Sequence, residues 1–347
     1  MASDRGVIAP ARVQKAARSG GRLRHCLLVA LLAAVVAPVA RATWDEATGH
    51  VDHATHDETQ VFSAEFALDA GVESYRNPVA LIDDDGTAVA LARSARRVSS
   101  PFREAALNVD LELPFAPSWA WTGSYALESR RSTDLPGLDH DRHTLTLGVL
   151  RESGDSELGA ELLFEHLEVG SGDFRRRAFG LRIDYLPFAG DSAAEGLSLA
   201  WKRFRHGFPD DIEDGDRLSV AWTRHSGNGL GGGWRTKLVA AALFNRWGYD
   251  DFAYRELSAR VERVFVPAPE WTFTLGVTPR WRRFGAPAPG TDFTRDDRRL
   301  TGVATLSRAL GEHASLQCEA ELGRLYSNDA LVRSRWNTLA CGLRLVF

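Results

Sequence analysis

The sequence predicts an all-β fold, a transmembrane antiparallel up-and-down β-barrel of about 14 strands. Three observations predict it. Short segments alternate apolar and polar residues, the links between them alternate between short and long, and the polar positions are largely charged. Because successive strand side chains point to opposite faces, each segment has one apolar and one charged face. Closing such strands into a barrel places one face outside and the other around a lumen.

The elements follow in chain order from the apolar positions that define each strand. These positions fall in residues 62–72, 107–113, 121–127, 145–149, 158–164, 179–185, 197–201, 218–222, 234–244, 257–261, 273–277, 300–306, 316–322 and 339–347. In the first segment Phe62, Phe66 and Leu68 alternate with Glu65 and Asp69. The resulting strand number is even, as single-chain membrane barrels require.

The links between these segments separate into two classes. Short turns are predicted at 114–118, 153–156, 188–195, 226–233, 267–270 and 311–314, and longer loops at 76–102, 131–141, 170–174, 205–216, 247–251, 285–297 and 327–333. Short turns at one rim and longer loops at the other are typical of membrane barrels. The first loop carries acidic residues at 83–85 and basic residues at 93, 96 and 97, and we expect it to fold inward and narrow the lumen.

A soluble β-sandwich or lipocalin-like barrel also alternates, so the alternation alone does not identify the apolar environment. The predicted strands offer no second apolar face for packing. Tryptophans and tyrosines such as Trp121, Tyr185 and Trp234 fall near strand ends, as the interfacial girdles of a membrane barrel do. These observations favour lipid around the barrel.

Residues 1–42 have the features of a secretory leader. Basic residues precede a short apolar run, and Ala40-Arg41-Ala42 offers a small-residue cleavage site. Residues 43–59 lack a core-forming pattern, so we expect a flexible periplasmic tail before a barrel at 60–347. His50, His53 and His56 could hold a divalent cation, but nothing in so short a segment fixes a coordination geometry, and we predict no metal site.

The charge balance narrows the possible partners. The chain has 42 basic and 46 acidic residues, and removing the leader leaves 35 basic against 45 acidic. An acidic chain argues against nucleic acid, whose binding depends on cations meeting phosphates. We expect no cofactor.

The final strand carries a resemblance. Leu339, Cys341, Leu343, Leu345 and Phe347 share one face and end on a terminal aromatic. This strand resembles the C-terminal signature of bacterial outer-membrane β-barrels, which their assembly machinery recognises. The resemblance implies location in the cell outer membrane, contact with its lipid, and Phe347 as an assembly signal.

The lumen-facing charges predict a function. We predict an acidic wall and a facing basic wall. The acidic wall comprises Glu65, Asp69, Glu104, Asp110, Glu112, Glu128, Glu161 and Glu165. The basic wall comprises Arg182, Lys202, Arg235, Lys237, Arg260, Arg280, Arg282, Arg299 and Arg344. This arrangement resembles the constriction of general porins and implies a passive channel for small polar or charged solutes. Alternatively, the charges pair across a narrow lumen and fill it.

Two weaker resemblances suggest other functions. The last third, with residues 295–299 and 326–329, resembles the C-terminal barrel of surface lipoprotein assembly modifiers, which implies help in exporting or displaying proteins; that family's helical-repeat domain is missing here. The segments 225–229 and 327–337 are faintly similar to outer-membrane phospholipases. Omptin-type proteases use paired Asp and His side chains at the outer rim, and the candidates for such pairs here are His140 and His143 beside Asp139 and Asp141, which a solvated loop also explains. A serine nucleophile needs its base within hydrogen-bond reach, and neither segment supplies one locally, so we expect no enzyme.

Cys318 and Cys341 are predicted to face outward on the last two strands and to lie opposite one another. The cell envelope is oxidising, so a disulfide is possible. Directly paired strand positions strain a disulfide, so two unbonded lipid-facing side chains are the favoured interpretation.

Overall fold

The strands of this protein close on themselves. The computed structural model describes residues 61–76, 79–81, 88–90, 97–170, 174–190, 193–207, 214–227, 232–287, 291–330 and 332–347. In these residues, fourteen antiparallel strands form a closed barrel. Each barrel strand pairs with the barrel strands that precede and follow it in the sequence, and the first pairs with the last. The predicted fold class and strand number are confirmed. The segments predicted as leader (1–42) and tail (43–59) lie outside the described residues.

The barrel strands extend from β1 to β16, and a small separate hairpin, β2 and β3, interrupts the numbering. In chain order they are β1 Val61–Arg76, β2 Val79–Leu81, β3 Ala88–Ala90, β4 Arg97–Ala116, β5 Trp119–Ser132, β6 His140–Ser153, β7 Ser156–Val169, β8 Phe174–Gly190, β9 Ala193–His206, β10 Gly215–Gly227, β11 Gly232–Asn245, β12 Tyr254–Ala268, β13 Trp271–Pro287, β14 Thr294–Ala309, β15 Ala314–Ser327 and β16 Ser334–Val346. The charged clusters predicted to narrow the lumen from the first loop, at 83–85, 93 and 96, lie outside the described residues, as does the side chain of residue 97.

The described strands reach further than the apolar alternation predicts. β4 runs from Arg97 to Ala116, although its apolar alternation covers only residues 107–113. The reason is physical: the hydrogen-bonded ladder continues wherever two strands pair, whereas apolar alternation is required only where the outer face meets hydrocarbon. Links such as 205–216 are consequently shorter than expected, because β9 ends at His206 and β10 starts at Gly215.

The two rims of the barrel differ in their links. One rim, here called the terminal rim, carries the start of β1, the end of β16 and short connections such as the one between Ala116 and Trp119. The opposite rim, the loop rim, carries the long connections, including the one that contains β2 and β3. Because membrane barrels have short periplasmic turns and longer external loops, the loop rim is the external one.

The first and last strands close the sheet. β1 pairs with β16 from Glu65 opposite Val346 to Arg76 opposite Arg335. The terminal Phe347 extends this ladder, because its backbone N–H donates to the Ala64 carbonyl (2.9 Å) and its carbonyl accepts from the Ala64 N–H (3.0 Å). The last residue of the chain is therefore part of the seam that closes the barrel.

Cys318 and Cys341 are directly opposite in the β15–β16 ladder, as predicted. They form a disulfide, with Cα atoms 4.0 Å apart. The favoured interpretation of two unbonded lipid-facing side chains is therefore wrong. The antiparallel register brings the two Cβ atoms close enough to bond, which the sequence spacing alone did not decide.

Helical structure is minor in the described ranges. It includes a 3-10 turn at Pro136–Leu138, between β5 and β6. Across the segments that the structure describes, no helix has the length and apolar character needed to cross a bilayer.

Candidate functional site

The outward face of the barrel carries a continuous exposed apolar belt. It includes Leu68, Leu147, Leu162, Leu181, Leu199, Val220, Leu238, Leu257, Leu275, Leu300, Leu322 and Leu339. Leu322 is 66% exposed and Leu339 is 59% exposed, although both lie in the middle of hydrogen-bonded strands. A belt of this extent has no protein to pack against and matches the hydrocarbon band of a membrane barrel.

The inward face carries the predicted charges. The strand register places every residue of the predicted acidic and basic walls on this face, because each alternates with an exposed residue of the apolar belt. Asp69, for example, follows Leu68, and Lys237 precedes Leu238. The inward face is therefore rich in charged residues.

Near the loop rim, the lumen wall is tightly packed around Glu73. This carboxylate is fully buried (0% exposed). Its Oε2 accepts hydrogen bonds from Arg130 Nη2 (2.5 Å) and Tyr75 Oη (2.9 Å), and its Oε1 accepts one from Ser132 Oγ (2.7 Å). The Arg130 guanidinium lies 3.8 Å from the centre of the Phe102 ring. A buried carboxylate is tolerated because its lone pairs are matched in this way.

A second packed group lies on β7, β8 and β9 at the same rim. Glu165 accepts a hydrogen bond from Arg176 (2.6 Å) and another from Lys202 (3.1 Å). The ring of Phe204 lies under both cations, 5.0 Å from the Arg176 guanidinium and 5.2 Å from the Lys202 ammonium. The buried Leu167 is part of the same wall.

A third packed group is centred on Glu256 of β12. Its carboxylate lies 2.5 Å from Arg282 Nη2, 3.2 Å from Arg217 Nη2 and 3.9 Å from Arg280 Nε. The Arg282 guanidinium also lies 3.9 Å from the centre of the Tyr254 ring. Three guanidinium groups thus surround one buried carboxylate on this side of the lumen.

A polar cavity of about 450 Å³ lies in the lumen beside the Glu73 group, and Tyr75, Phe102 and Arg130 of that group line it. Its charged lining includes Asp69, Glu104, Glu128, Glu319 and Glu321 together with Arg130, Arg142, Arg299 and Arg344. Trp336 also lines it; the indole N–H donates to Glu321, and the Arg299 guanidinium lies 4.9 Å from the indole centre. A cavity with this lining suits water and polar solutes better than apolar ones.

Towards the terminal rim, four of the predicted lumen charges lie outside the ion pairs of the described ranges. Asp110, Arg235 and Lys237 are exposed to the lumen, and Glu65 is half-buried. In the described ranges, none of these four residues forms an ion pair within 4.0 Å. β4, which carries Asp110, lies seven strands from β11, which carries Arg235 and Lys237, so the opposite charges face each other across the lumen.

Elsewhere in the lumen, including its terminal half, the two predicted walls are not cleanly separated. Asp69 contacts Arg344 (2.8 Å), Glu104 contacts Arg130 (3.5 Å) and Glu161 contacts Arg182 (2.7 Å). Glu128 contacts Arg142 (3.3 Å) and the His140 ring (2.7 Å), and Arg260 contacts Glu262 (2.5 Å). These pairs run along the wall, between the same or nearby strands, rather than across the lumen. Of the remaining predicted residues, Glu112 lies on β4 two positions from Asp110.

This chain is an outer-membrane β-barrel protein. The closed barrel of fourteen strands, the exposed apolar belt and the charged interior together establish the class and the location in the outer membrane. No protein-family model matches the sequence, and no curated protein matches it.

Solved structures similar to the barrel are also outer-membrane proteins. OmpT, an outer membrane protein of Vibrio cholerae, has 10% identity and a TM-score of 0.49, over 85% of this chain and 99% of OmpT. A FadL homologue of Pseudomonas aeruginosa has 10% identity and a TM-score of 0.42, over 82% and 90% of the two chains. An anion-selective porin from Comamonas acidovorans has 9% identity and a TM-score of 0.43, over 83% and 100%.

The residues considered for catalysis are dispersed. His140 points into the lumen towards Glu128, whereas the ring of His143 points outward and its Nδ1 lies 2.8 Å from Tyr125 Oη. The two histidines are therefore on opposite faces of β6. Ser327 and Ser334 are buried at the loop rim, and residues 228–229 lie outside the described ranges. Among the residues described, no group of three or more potential ligands is placed to hold a metal ion.

Several residues of the packed groups were missing from the predicted walls. Arg142, Arg176, Arg217 and Phe102 lie beyond the apolar core of their strands, where the alternation weakens, whereas Glu73 follows the inward alternation of β1. The face on which each lies can nevertheless be predicted, because each residue continues the alternation of inward and outward positions in its strand. Extending each strand to the rim would have placed them correctly.

Proposed function

We propose that this barrel is a passive channel for small polar or charged solutes. The observation that carries the proposal is the pair of oppositely charged, exposed walls near the terminal rim, with Asp110 on one side and Arg235 and Lys237 on the other. Opposed charges across a narrow aqueous passage orient water and solute dipoles. An apolar solute would have to displace that ordered water without replacing its interactions.

The packed groups near the loop rim support a small size limit. Buried side chains on several strands, including Glu73, Arg176, Glu256 and Trp336, thicken the wall there. The cavity of about 450 Å³, which is lined by Tyr75, Arg130 and Trp336 among others, is of the order of a small-molecule site. We infer a narrow passage that admits single small solutes, rather than a wide general pore.

The proposal is tested by reconstituting the purified barrel in a planar bilayer. We expect discrete single-channel steps. In a salt gradient, the double variant Asp110→Asn with Glu65→Gln should shift the reversal potential towards anion preference. Arg235→Gln with Lys237→Gln should shift it towards cation preference, because each pair removes charge of one sign from the passage.

The matched control is Arg263→Gln. Arg263 lies on the outward face, 5.2 Å from the centre of the Trp234 ring, and its removal should leave the reversal potential unchanged. A silent bilayer with correctly folded protein would contradict the proposal, and so would equal selectivity in all of these variants.

A further inference from the structure

A row of outward-facing arginines crosses three strands at the loop rim. In the ladders, Arg324 of β15 lies directly opposite Arg335 of β16, and Arg335 lies directly opposite Arg76 of β1. All three side chains are exposed. Like charges in directly opposed positions of a sheet repel each other and destabilise the pairing. An anion bound between these side chains relieves the repulsion.

The outward faces of the neighbouring strands supply no such anion in the described ranges. On the outward faces of β1, β4, β15 and β16, no position is acidic. The nearest outward carboxylate of the neighbouring β14 is Asp296, which already contacts Arg298 (3.3 Å) and accepts a hydrogen bond from Trp281 Nε1 (2.9 Å). No ion pair within 4.0 Å involves Arg76, Arg324 or Arg335 in the described part of the chain.

The arginines line a cleft rather than a flat surface. Its volume is about 590 Å³, and its lining includes Arg76, Arg324, Arg333, Arg335 and Tyr326. The Arg324 guanidinium lies 4.1 Å from the centre of the Tyr326 ring, and Arg333 Nε donates to the Ser327 carbonyl (2.7 Å). These contacts hold two of the guanidinium groups at the cleft, while their remaining N–H groups are available to a ligand.

The position of the row identifies the class of ligand. On the same outward faces, Leu322 lies two residues from Arg324 and Leu339 lies four residues from Arg335, and both are highly exposed in the apolar belt. A molecule on this surface therefore meets hydrocarbon-facing leucines below and guanidinium groups above. That pattern matches a lipid whose acyl chains lie against the barrel and whose headgroup carries phosphate.

We propose that Arg76, Arg324 and Arg335 form a binding site for the phosphorylated headgroup of a lipid in the outer leaflet. Arginine is suited to this role because its planar guanidinium binds phosphate oxygens through two parallel hydrogen bonds. The headgroup neutralises three cations that otherwise repel one another. This inference is independent of whether the lumen conducts.

The site is tested by native mass spectrometry of the full-length protein in detergent, with bisphosphorylated lipid A as the probe. The unaltered protein should retain this lipid, and the triple variant Arg76→Gln, Arg324→Gln, Arg335→Gln should bind it about 100-fold more weakly, given the contribution of each basic residue near an anionic lipid surface. The control variant, Arg151→Gln with Arg308→Gln, removes outward arginines at the terminal rim and should bind like the unaltered protein.

Two further arms identify the source of the phosphate. Chemically dephosphorylated lipid A should bind the unaltered protein weakly. Its affinity should be no higher than that of intact lipid A for the triple variant. Inorganic phosphate at millimolar concentration should not displace lipid A, because it lacks the acyl chains that contact the leucines. Equal binding of the two lipids, or displacement by inorganic phosphate, would overturn the lipid site; the first comparison needs no variant and stands even if the triple variant fails to fold.

Discussion

The indole of Trp336 lies across Gly323, its direct partner in the β15–β16 ladder. A Cβ atom at position 323 would overlap the indole ring, so only glycine leaves room for it. Phe102 lies against Gly71 in the same way on β4 and β1. Two large rings of the lumen wall thus pack directly over glycines, where they cover backbone that has no side chain of its own.

We expect Gly323→Val to destabilise the barrel by about 1–3 kcal/mol, because the valine forces the indole off its position in a packed wall. Urea unfolding in lipid vesicles, followed by tryptophan fluorescence, measures this. Gly302→Val is the control: Gly302 is on the neighbouring β14, and the nearest atom to a Cβ there is 4.0 Å away. Equal loss of stability in both variants would contradict the explanation.

Removing the Glu73 carboxylate should cost more than removing an exposed one. Glu73→Ala leaves Arg130 without its closest partner in a buried wall, and breaking a buried pair from one side costs about 3–5 kcal/mol. Asp110→Ala, on the exposed terminal half of the same lumen, should leave the free energy of unfolding nearly unchanged. The measurement is urea unfolding in vesicles. If the two variants lose the same stability, the packed loop-rim group does not stabilise the barrel.

An arginine on the apolar belt should distinguish lipid from protein contact. Leu199 faces outward and is 47% exposed, and Ser198 beside it faces the lumen. Leu199→Arg should cost about 2–4 kcal/mol if the side chain meets the bilayer interior, because charge is least tolerated there. Ser198→Arg enters the aqueous lumen and should cost little. Folding yields into phospholipid vesicles, read from heat-modifiable electrophoretic migration, compare the two; the reverse order would place hydrocarbon inside.

The disulfide should stabilise the last hairpin. Cys318 and Cys341 are separated by 23 residues, and bonds that close loops of this size typically contribute about 2–4 kcal/mol. We expect Cys318→Ser with Cys341→Ser to unfold at lower urea concentration. Maleimide labelling of the denatured, unreduced protein checks the bond itself. Full labelling without reductant, or an unchanged unfolding midpoint, would contradict this prediction.

The sequence by itself determined the faces of the strands. Because strand side chains alternate strictly, the parity of residues such as Leu68 and Asp69 decides which environment each meets, and the fold class, the strand number and the outer-membrane location follow from that. The alternation needs no knowledge of which strand is the neighbour.

Only the tertiary structure decided which inward charges meet. Glu73 and Arg130 are 57 residues apart in sequence. Their contact depends on the register between β1, β4 and β5, and the sequence does not determine that register because a long link separates β1 from β4. The same register brought Cys318 and Cys341 into bonding distance and set Arg76 beside Arg335. A pattern of period two assigns each residue to a face, whereas hydrogen bonds and ion pairs depend on position along the neighbouring strand, which the closure of the barrel sets.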